Sequence, residues 1–336
     1  MGAISSYRLR LERRRWQIRA IRKRRELSAV SNKTSALSSN SILLFATIRN
    51  EFKRLPFFLS YYRKLGVDHF FFVDNGSTDE SVNYLSNQSD VSVWNTDRSY
   101  RKSRFGADWL NWLKFRYGSG HWTLTLDPDE FFVYPFCDTR PLPALCDWLD
   151  VCGLRSFGTL LLDLYPKGTL EDTEYHPGED PTKISPWFDS GNYIASKNPK
   201  YGNLWIQGGP RARMFFSEVP EQAPALNKIP LVKWDQRFVH VSSTHMLLPR
   251  GLNFVYDEAG GEKTSGCLLH TKFVDGFTKK ALEEAARHQH YSRGREYDAY
   301  LSADCVENGL WTQWSEQYLN WRQLEHLGLM SKGNWA

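Results

Sequence analysis

Short, almost entirely apolar segments alternate with longer amphipathic ones between residues 41 and 135. Apolar runs of this length are typical of strands that are buried on both faces of a parallel sheet. Four such strands are predicted, at Ile42–Ile48, Phe70–Val73, Val91–Trp94 and Trp122–Leu126. Helices are predicted between them, at Phe52–Leu65, from a cap at Ser77 or Thr78 to Leu85, and at Phe105–Tyr117. The alternation predicts an α/β fold with a mostly parallel central sheet flanked by helices.

Polar residues lie at the end of each predicted strand. They are Thr47, Asp74, Asn95 to Asp97, and Asp127 to Glu130. In sheets of parallel strands, ligands bind beyond the carboxyl ends of the strands. We therefore expect these residues to meet along one edge of the sheet and to form a ligand-binding crevice.

The most concentrated chemistry lies in Asp127-Pro128-Asp129-Glu130. Neighbouring ionised carboxylates repel one another, and the usual relief is a bound divalent cation or a nearby arginine. Asp127 and Asp129 would point the same way if the strand geometry persisted. Mg²⁺ and Mn²⁺ accept one or two such ligands and leave other positions for water and phosphate oxygens. The alternative is a solvated acidic turn without a ligand.

Length and composition set limits on the fold and its location. A chain of 336 residues can hold one large α/β domain with insertions, or two smaller domains. The five cysteines are sparse and include no Cys-x-x-Cys pair, which indicates a reducing compartment. We find neither a signal peptide nor a run of about 18 apolar residues. The expected location is the cytoplasm, either free or peripheral at the inner face of a membrane.

Positive charge is concentrated at the start of the chain. Residues 1–30 carry ten lysines and arginines against two glutamates, in a chain whose formal net charge is +5. We expect a basic helix that could lie on an anionic membrane surface. Nucleic acid is a less favoured partner, and a solvated arm is the alternative to both. Because residues 28–40 are serine-rich, residues 1–40 are predicted to be a basic arm and linker, and folding is not expected to require residues 1–30.

Three motifs carry a resemblance to a known family. They are Ala46-Thr47-Ile48-Arg49-Asn50-Glu51, Val73-Asp74-Asn75-Gly76-Ser77-Thr78-Asp79 and Leu126-Asp127-Pro128-Asp129-Glu130. With these motifs, residues 41–135 resemble the nucleotide-sugar-binding half of a family 2 glycosyltransferase of the GT-A fold. The segments Leu55–Leu59 and Leu65–Phe70 are similar to the family 2-like branch of bacterial polysaccharide assembly, which is related to the family 92 enzymes.

The resemblance implies a nucleotide-diphosphate sugar as the donor. Asp74 would accept a hydrogen bond from the nucleobase or ribose, and Arg104 would offset the charge of the diphosphate. Asp127 would approach the ribose or the metal site, and Asp129 would ligate the Mn²⁺ or Mg²⁺ ion that bridges the two phosphates. The other residues expected in the donor pocket are Thr47, Arg49, Asn50, Glu51 and Asn75.

Residues 136–275 form the predicted acceptor-binding and catalytic half. The aromatic-rich residues 167–207 are expected either to stack on acceptor sugar rings or to pack as a satellite core. Asp235 is the first candidate for the base that deprotonates the acceptor hydroxyl, and His245 is the second.

The end of this half contains two further candidates. His270 resembles the C-terminal histidine that completes the metal site in many GT-A enzymes, and Lys272 is a candidate phosphate contact. Residues 276–336 are predicted to form C-terminal helices, beginning with an amphipathic helix at 278–290.

The combined prediction is a metal-dependent glycosyltransferase that moves a sugar, with inversion, from a nucleotide diphosphate to a hydroxyl of a glycan or glycolipid. Three alternatives remain open. A metal-dependent nucleotidyltransferase would use the same carboxylates and release pyrophosphate. A catalytically silent carbohydrate-binding protein would need only the aromatic segment. A nucleic-acid-binding protein would use residues 8–25.

Overall fold

The computed structural model describes residues 3–170, 173–256, 263–274 and 309–335. In chain order the elements are α1 (Ala3–Lys23), β1 (Ser28–Ser31), β2 (Leu43–Ile48), α2 (Leu55–Leu65), β3 (His69–Asp74), α3 (Ser81–Ser86), β4 (Val91–Asn95), α4 (Ala107–Leu113), β5 (Trp122–Thr125), β6 (Glu130–Val133), α5 (Leu142–Val151), β7 (Ser156–Asp163), α6 (Pro181–Ile184), β8 (Trp187–Asp189), β9 (Tyr193–Lys197), β10 (Leu204–Gly208), α7 (Gly209–Phe215), β11 (Asn227–Lys233), β12 (Val239–Ser242), β13 (Met246–Leu248), β14 (Gly266–His270), β15 (Ser315–Gln317) and α8 (Trp321–His326).

Nine of these strands form one sheet, in the order β1-β4-β3-β2-β5-β11-β7-β14-β6. Six strands share one direction, and β1, β6 and β11 run the opposite way. The predicted α/β fold with a mostly parallel central sheet flanked by helices is therefore confirmed. Because β11, β7 and β14 lie between β5 and β6, the two predicted halves of the protein share one sheet.

The sheet is buried on both faces because alternate residues of each inner strand face opposite helices. In β2, Leu43 and Phe45 pack into the cluster that contains Trp109 of α4. Leu44 and Ala46 pack into a second cluster, which contains residues of α2. This arrangement explains why the strand sequences are continuously apolar and do not alternate with polar residues.

The predicted strands agree with the structure to within about two residues, whereas the helix starts differ more. The helix predicted after a Ser77 or Thr78 cap begins only at Ser81. The Ser77 hydroxyl instead accepts a hydrogen bond from the Asn50 N–H at 2.8 Å. The Asp79 carboxylate accepts from the Ser81 N–H at 3.0 Å. Contacts between neighbouring loops therefore moved the start of the helix.

The prediction of a free basic arm is wrong, because α1 packs against the folded body. Leu9 is buried in a cluster with Tyr201 and with residues of β12 and β13. The Arg19 Nε atom lies 2.7 Å from an Asp108 carboxylate oxygen. The Tyr201 hydroxyl donates to Glu12 at 2.6 Å. These long-range contacts fix the helix on α4 and on the β12–β13 hairpin.

The predicted linker is also wrong at residues 28–31, which form β1. Ser28 pairs with Asn95 and Ala29 pairs with Trp94, so β1 runs antiparallel along β4. Without β1, the backbone groups of β4 would form an open edge. Small serine and alanine side chains suit a short, exposed edge strand, and this pairing is not visible in local composition.

Three of the aromatic residues between 167 and 207 are buried, namely Tyr175, Phe188 and Tyr201. Phe188 in β8 belongs to the main core, and Tyr201 packs against Leu9 of α1. Their burial fits the satellite-core interpretation and excludes these rings from stacking on an acceptor sugar. Trp187, Tyr193 and Trp205 are only partly buried.

The described part of the tail contains β15 and α8. β15 pairs with β8, and Trp321 of α8 is buried beside Phe136. The helix predicted at 278–290 lies outside the described residues. Among the helices that are described, none has the length and apolar character needed to cross a membrane.

We predict that Leu9→Ala lowers the free energy of unfolding by about 2–3 kcal/mol, because it leaves a cavity between α1 and the body. Leu11→Ala is the matched control, since Leu11 is 45% exposed on the same helix. It should change stability by less than about 0.5 kcal/mol. Urea unfolding of the two variants measures the difference, and equal stabilities would mean that α1 does not dock in solution.

Candidate functional site

Polar side chains from five strands lie along one edge of the sheet, which we call the carboxyl edge. Asp74 and Asn95 are register partners at the ends of β3 and β4. His270 at the end of β14 is the register partner of both Asp163 in β7 and Glu130 in β6. The predicted convergence of strand ends is therefore present. Strand order reverses between β2 and β5, and such switch points are where α/β sheets bind ligands.

Residues 127–130 form a tight turn at this edge, which we call the carboxylate turn. The Glu130 N–H donates to the Asp127 carbonyl at 3.0 Å. Strand β5 ends at Thr125, so the strand geometry that would align Asp127 with Asp129 does not persist. Asp127 has a half-exposed side chain that faces Lys228, whereas Asp129 faces His270. The two aspartates therefore have different partners and different possible roles.

Lys228 is a buried cation that sequence analysis did not identify. Its Nζ atom lies 2.8 Å from Glu130 and 3.6 Å from Asp127. Burial alone would lower the pKa of Lys228, but the neighbouring carboxylates of Glu130, Asp127 and Asp129 raise it above the usual value. Lys228 is therefore charged at neutral pH and offsets the repulsion within the carboxylate turn.

Arg54 is a second buried cation near the carboxylate turn. It forms an ion pair with Glu51 at 3.0 Å. Burial opposes its charge, but the carboxylates of Glu51 and Asp129 outweigh that effect and raise the pKa of Arg54. Glu51, predicted in the donor pocket, is thus engaged with this arginine. From the sequence we expected a bound cation or a nearby arginine to relieve the repulsion among the carboxylates. In the structure, Lys228 and Arg54 share that role.

His270 lies between two carboxylates. Its Nδ1 atom is 2.6 Å from Asp163, and its Nε2 atom is 3.4 Å from Asp129. Asp163 also lies 2.7 Å from Arg211 Nε. Burial would lower the pKa of His270, but Asp129 and Asp163 raise it to about 9. Without another cation, this imidazole is therefore protonated at neutral pH.

The pair formed by Asp129 and His270 fits a divalent cation that has two protein ligands. The 3.4 Å separation between Asp129 Oδ2 and His270 Nε2 would allow both atoms to bind one ion. Asp163 would then hold the histidine in the tautomer that leaves Nε2 available, as carboxylate partners of metal-binding histidines do. Within the described residues no group of three or more metal-binding side chains occurs. The remaining ligands would have to come from water or substrate.

A small cavity of about 20 Å³ lies beside the carboxylate turn, and its polar lining includes Asp127, Thr47, Thr244 and His240. Thr47 Oγ1, Thr244 Oγ1 and His240 Nε2 are buried without a hydrogen-bond partner. Unsatisfied buried polar atoms are costly, and a cavity of this size holds roughly one water molecule. The three atoms could therefore bind a water molecule or a polar group of a ligand.

Behind this cavity lies Lys114, a buried lysine that contacts a threonine and a histidine. Its Nζ atom is 2.9 Å from Thr125 Oγ1 and 2.6 Å from His240 Nδ1. Burial lowers the pKa of Lys114 well below its usual value. Burial and the nearby Lys114 also lower the pKa of His240. Lys114 and His240 therefore contribute little positive charge on this side of the carboxylate turn.

The residues predicted to bind the nucleotide tie the loops after β2, β3 and β4 together. The Asp74 carboxylate accepts from the N–H groups of Gly76 and Ser77, both at 3.1 Å. Arg49 donates a hydrogen bond to the Asn75 carbonyl, and the Thr78 N–H donates to the Asn50 side chain. The Asn75 side chain donates to the carbonyls of Thr96 and Arg98. Because Asp74 is fully buried, its observed role is to shape the loop.

Arg104, the predicted diphosphate contact, is instead held by groups of the protein itself. Its Nε and Nη2 atoms bind Asp108 at 2.8 and 2.6 Å. Its Nη1 atom donates to the carbonyls of His240 and Val241. The guanidinium also lies 4.1 Å from the ring centroid of Trp16 in α1. These contacts make Arg104 a link between α1, α4 and β12, so the prediction is corrected.

Asp235 lies at the opposite edge of the sheet and is corrected as a candidate base. β11 runs antiparallel to β5, and its last residue, Lys233, pairs with Trp122 at the start of β5. A hydrogen bond from Arg237 lowers the pKa of Asp235 to about 2. Its distance from the carboxylate turn and its weak basicity both disfavour the role.

His245 lies on the side of the carboxylate turn. Its Nδ1 atom is 2.7 Å from the carbonyl of Asn227, the residue before Lys228. Burial lowers the pKa of His245 to about 3, which keeps it neutral but makes it a weak base. Lys272 follows Thr271, whose N–H donates to the Asp129 carbonyl at 2.8 Å, so the chain places Lys272 next to the turn.

A larger cavity, of about 490 Å³, lies at the other edge of the sheet, beside Arg155 and Ser156 at the start of β7. It shares no lining residue with the small cavity at the carboxylate turn. Size alone would select this cavity, but the clustered carboxylates and histidine favour the carboxyl edge.

Several residues of the site were not identified from sequence, among them Asp163, Lys228, Arg54 and His240. Asp163 ends an apolar strand, which is the signal that identified Asp74 and Asp127, so the same rule would have found it. Lys228 sits inside an apolar strand, and a charged residue there is a weaker signal. Arg54 and His240 carry no sequence signal, because only long-range packing brings them to the site.

Comparisons with known proteins add no family assignment. A scan against protein-family models gave no match, and a search of curated proteins found no similar sequence. The function must therefore be inferred from the residues and the geometry.

We predict that Lys228→Met lowers the free energy of unfolding by about 3 kcal/mol or more, because it leaves Glu130 buried without its cation. The double variant Lys228→Met/Glu130→Gln should recover most of this loss, because neither charge then remains. Lys233→Met is the control, since Lys233 pairs with Asp150 near the surface. It should cost less than about 1 kcal/mol. Similar losses for both single variants in urea unfolding would contradict the assigned importance of the buried pair.

Proposed function

We propose that the protein is a metal-dependent glycosyltransferase of the GT-A fold, belonging to the family 2-like branch. It would transfer a sugar from a nucleotide-diphosphate donor to a hydroxyl of a glycan or glycolipid. The observation that carries the proposal is the Asp129–His270 pair, with its Asp163 partner, at adjacent strand ends beside the carboxylate turn. The three motifs that resemble the family lie along the same edge.

Asp129 and His270 would hold Mn²⁺ or Mg²⁺ together with oxygens of the donor diphosphate. When bound, the cation would neutralise the negative charge that develops on the departing nucleoside diphosphate. Asp163 orients His270 through the 2.6 Å contact to Nδ1. The protonated His270 must lose a proton before its Nε2 atom can bind a metal.

Lys228 and Asp127 would act next to the cation without binding it. Lys228 keeps the buried Glu130 paired, so the turn holds its shape before a donor arrives. Asp127 is the most exposed carboxylate of the turn, and its side chain is available to a donor hydroxyl. The small cavity with three unsatisfied polar atoms gives the same region further hydrogen-bonding capacity.

The loops after β2 to β4 support a nucleotide pocket because they are already fixed by their own hydrogen bonds. Arg49, Asn50 and Asn75 hold these loops together. A pocket that is ordered before binding loses less entropy when the ligand arrives. In this arrangement Asp74 positions backbone groups, and the base and ribose would contact the loop surface.

The acceptor base is assigned to His245 in this proposal. It is the one of the two predicted candidates that lies on the side of the carboxylate turn. Its pKa of about 3 makes it a weak base, so its position alone supports this assignment. We also propose that the configuration at the sugar carbon is inverted. Direct displacement of this kind needs a base, here His245, opposite the leaving group.

The first test is a thermal-shift panel of nucleoside diphosphates with and without Mn²⁺. One diphosphate should stabilise the protein only when Mn²⁺ is present, by about 2.7 kcal/mol at a hundredfold excess over its dissociation constant. Nucleoside monophosphates with Mn²⁺ are the control. The absence of any metal-dependent stabilisation would oppose the proposal, and release of pyrophosphate from a nucleotide substrate would favour a nucleotidyltransferase.

The second test separates the two aspartates. Asp129→Asn should abolish metal-dependent binding of the diphosphate and lower sugar transfer at least about a hundredfold, because it removes a metal ligand. Asp127→Asn should weaken donor binding but leave the Mn²⁺ requirement in place. Asp138→Asn, at a surface pair with Arg322, is the control for the same chemical change.

The third test concerns His270. His270→Ala should raise the Mn²⁺ concentration needed for donor binding by about tenfold or more. The metal titration is followed by thermal shift, so the result does not depend on turnover. An unchanged titration would leave His270 as a structural residue that pairs two aspartates.

A further inference from the structure

Helix α1 has two apolar faces, which explains why its sequence shows no single apolar stripe. Leu9, Trp16 and Ala20 lie on the face that contacts the body, which we call the docked face. Ile4, Tyr7, Leu11 and Ile18 lie on the opposite side, which we call the outer face. Their spacing of three, four and seven residues places them within about 60° of one another around the helix axis.

The outer face exposes its apolar side chains. Ile4 is 73% exposed, Tyr7 58%, Leu11 45% and Ile18 51%. Single exposed apolar residues are common on protein surfaces, but an aligned row on one helix is not. The row from Ile4 to Arg22 would be about 27 Å long at the rise of an α-helix.

Arginines flank this row on both sides. The exposed ones in the helix are Arg8, Arg10, Arg14, Arg15 and Arg22. None of these five forms an ion pair with another described residue. Long arginine side chains can keep their charge at the lipid headgroups while their stems lie along apolar surface. An apolar row bordered by arginines is the pattern of a helix that lies in the plane of a membrane interface.

We propose that the outer face of α1 binds the surface of an anionic lipid bilayer. The docked face holds the helix on the protein through Leu9 and the Arg19–Asp108 pair, so the outer face is presented in a fixed orientation. Positive charge complements anionic headgroups, and the row inserts among them. This proposal does not depend on the proposed enzymatic function.

Two other partners fit the outer face less well. Nucleic acid would use the arginines on its phosphates but would leave the apolar row exposed to water. A second copy of the chain would bring two sets of arginines together, and their repulsion would oppose association. Only the anionic bilayer uses both the arginines and the apolar row.

The test is flotation of the full-length protein with vesicles of phosphatidylcholine alone and of phosphatidylcholine mixed with phosphatidylglycerol. The protein should bind the anionic vesicles, and binding should weaken as salt increases. Leu11→Ser/Ile18→Ser should lower vesicle binding about tenfold or more. Arg8→Gln/Arg14→Gln/Arg22→Gln should lower it about fivefold per arginine. Thermal unfolding of both variants should match the parent, because these residues do not touch the docked face.

Matched controls remove the same kinds of group, exposed apolar side chains and positive charges, elsewhere on the surface. Val151→Ser/Leu319→Ser removes two exposed apolar side chains, and Lys64→Gln/Lys183→Gln/Lys332→Gln removes three exposed charges. Both controls should bind vesicles like the parent. Equal binding by the control and outer-face variants would overturn the proposal, as would equal binding to neutral and anionic vesicles. Binding of duplex DNA without vesicle binding, lost only in the arginine variant, would replace the membrane by nucleic acid.

Discussion

The carboxyl edge of this sheet depends on the compensation of buried charge. Glu130 is almost completely buried, and the Nζ atom of Lys228 lies 2.8 Å from it. Without this lysine, a buried carboxylate beside Asp127 and Asp129 would have to bind a proton or move to solvent. The same principle applies at Asp163, where Arg211 and His270 offset the charge. The position of each carboxylate in the site therefore follows from the cation that faces it.

This compensation of carboxylate charge by cationic side chains points to the Asp129–His270 pair as the candidate metal site. Glu130 and Asp163 are both held by cationic side chains in the interior. Asp129 faces His270, whose charge depends on a proton that can be lost. A divalent cation could replace that proton, because it would offset the same carboxylate. Asp127, half-exposed and facing a lysine, is better placed to contact a substrate than to complete a metal site.

Arg104 and His240 connect helix α1 to the region around the carboxylate turn through packing contacts. Arg104 connects α4 to Trp16 of α1 and to the backbone of β12. His240 of β12 in turn lies in the cavity beside Asp127. The packing of α1 is thereby linked through neighbouring contacts to the wall of the site. The helix that sequence analysis treated as a separate arm is part of the structure around the site.

The sequence by itself determined the four parallel strands β2 to β5 of the sheet, because strands buried on both faces must be continuously apolar and these four are. It also predicted that Asp74, Asp127 and Asp129 meet at one edge, since the ends of parallel strands share a side, whereas His270 was predicted only from the family resemblance. Only the tertiary structure decided the rest. The direction of β11 placed Asp235 at the far edge. Long-range contacts brought Lys228 and Arg54 to the carboxylates and seated α1 on the body. Such contacts join residues far apart in the chain, and local composition and periodicity do not record them.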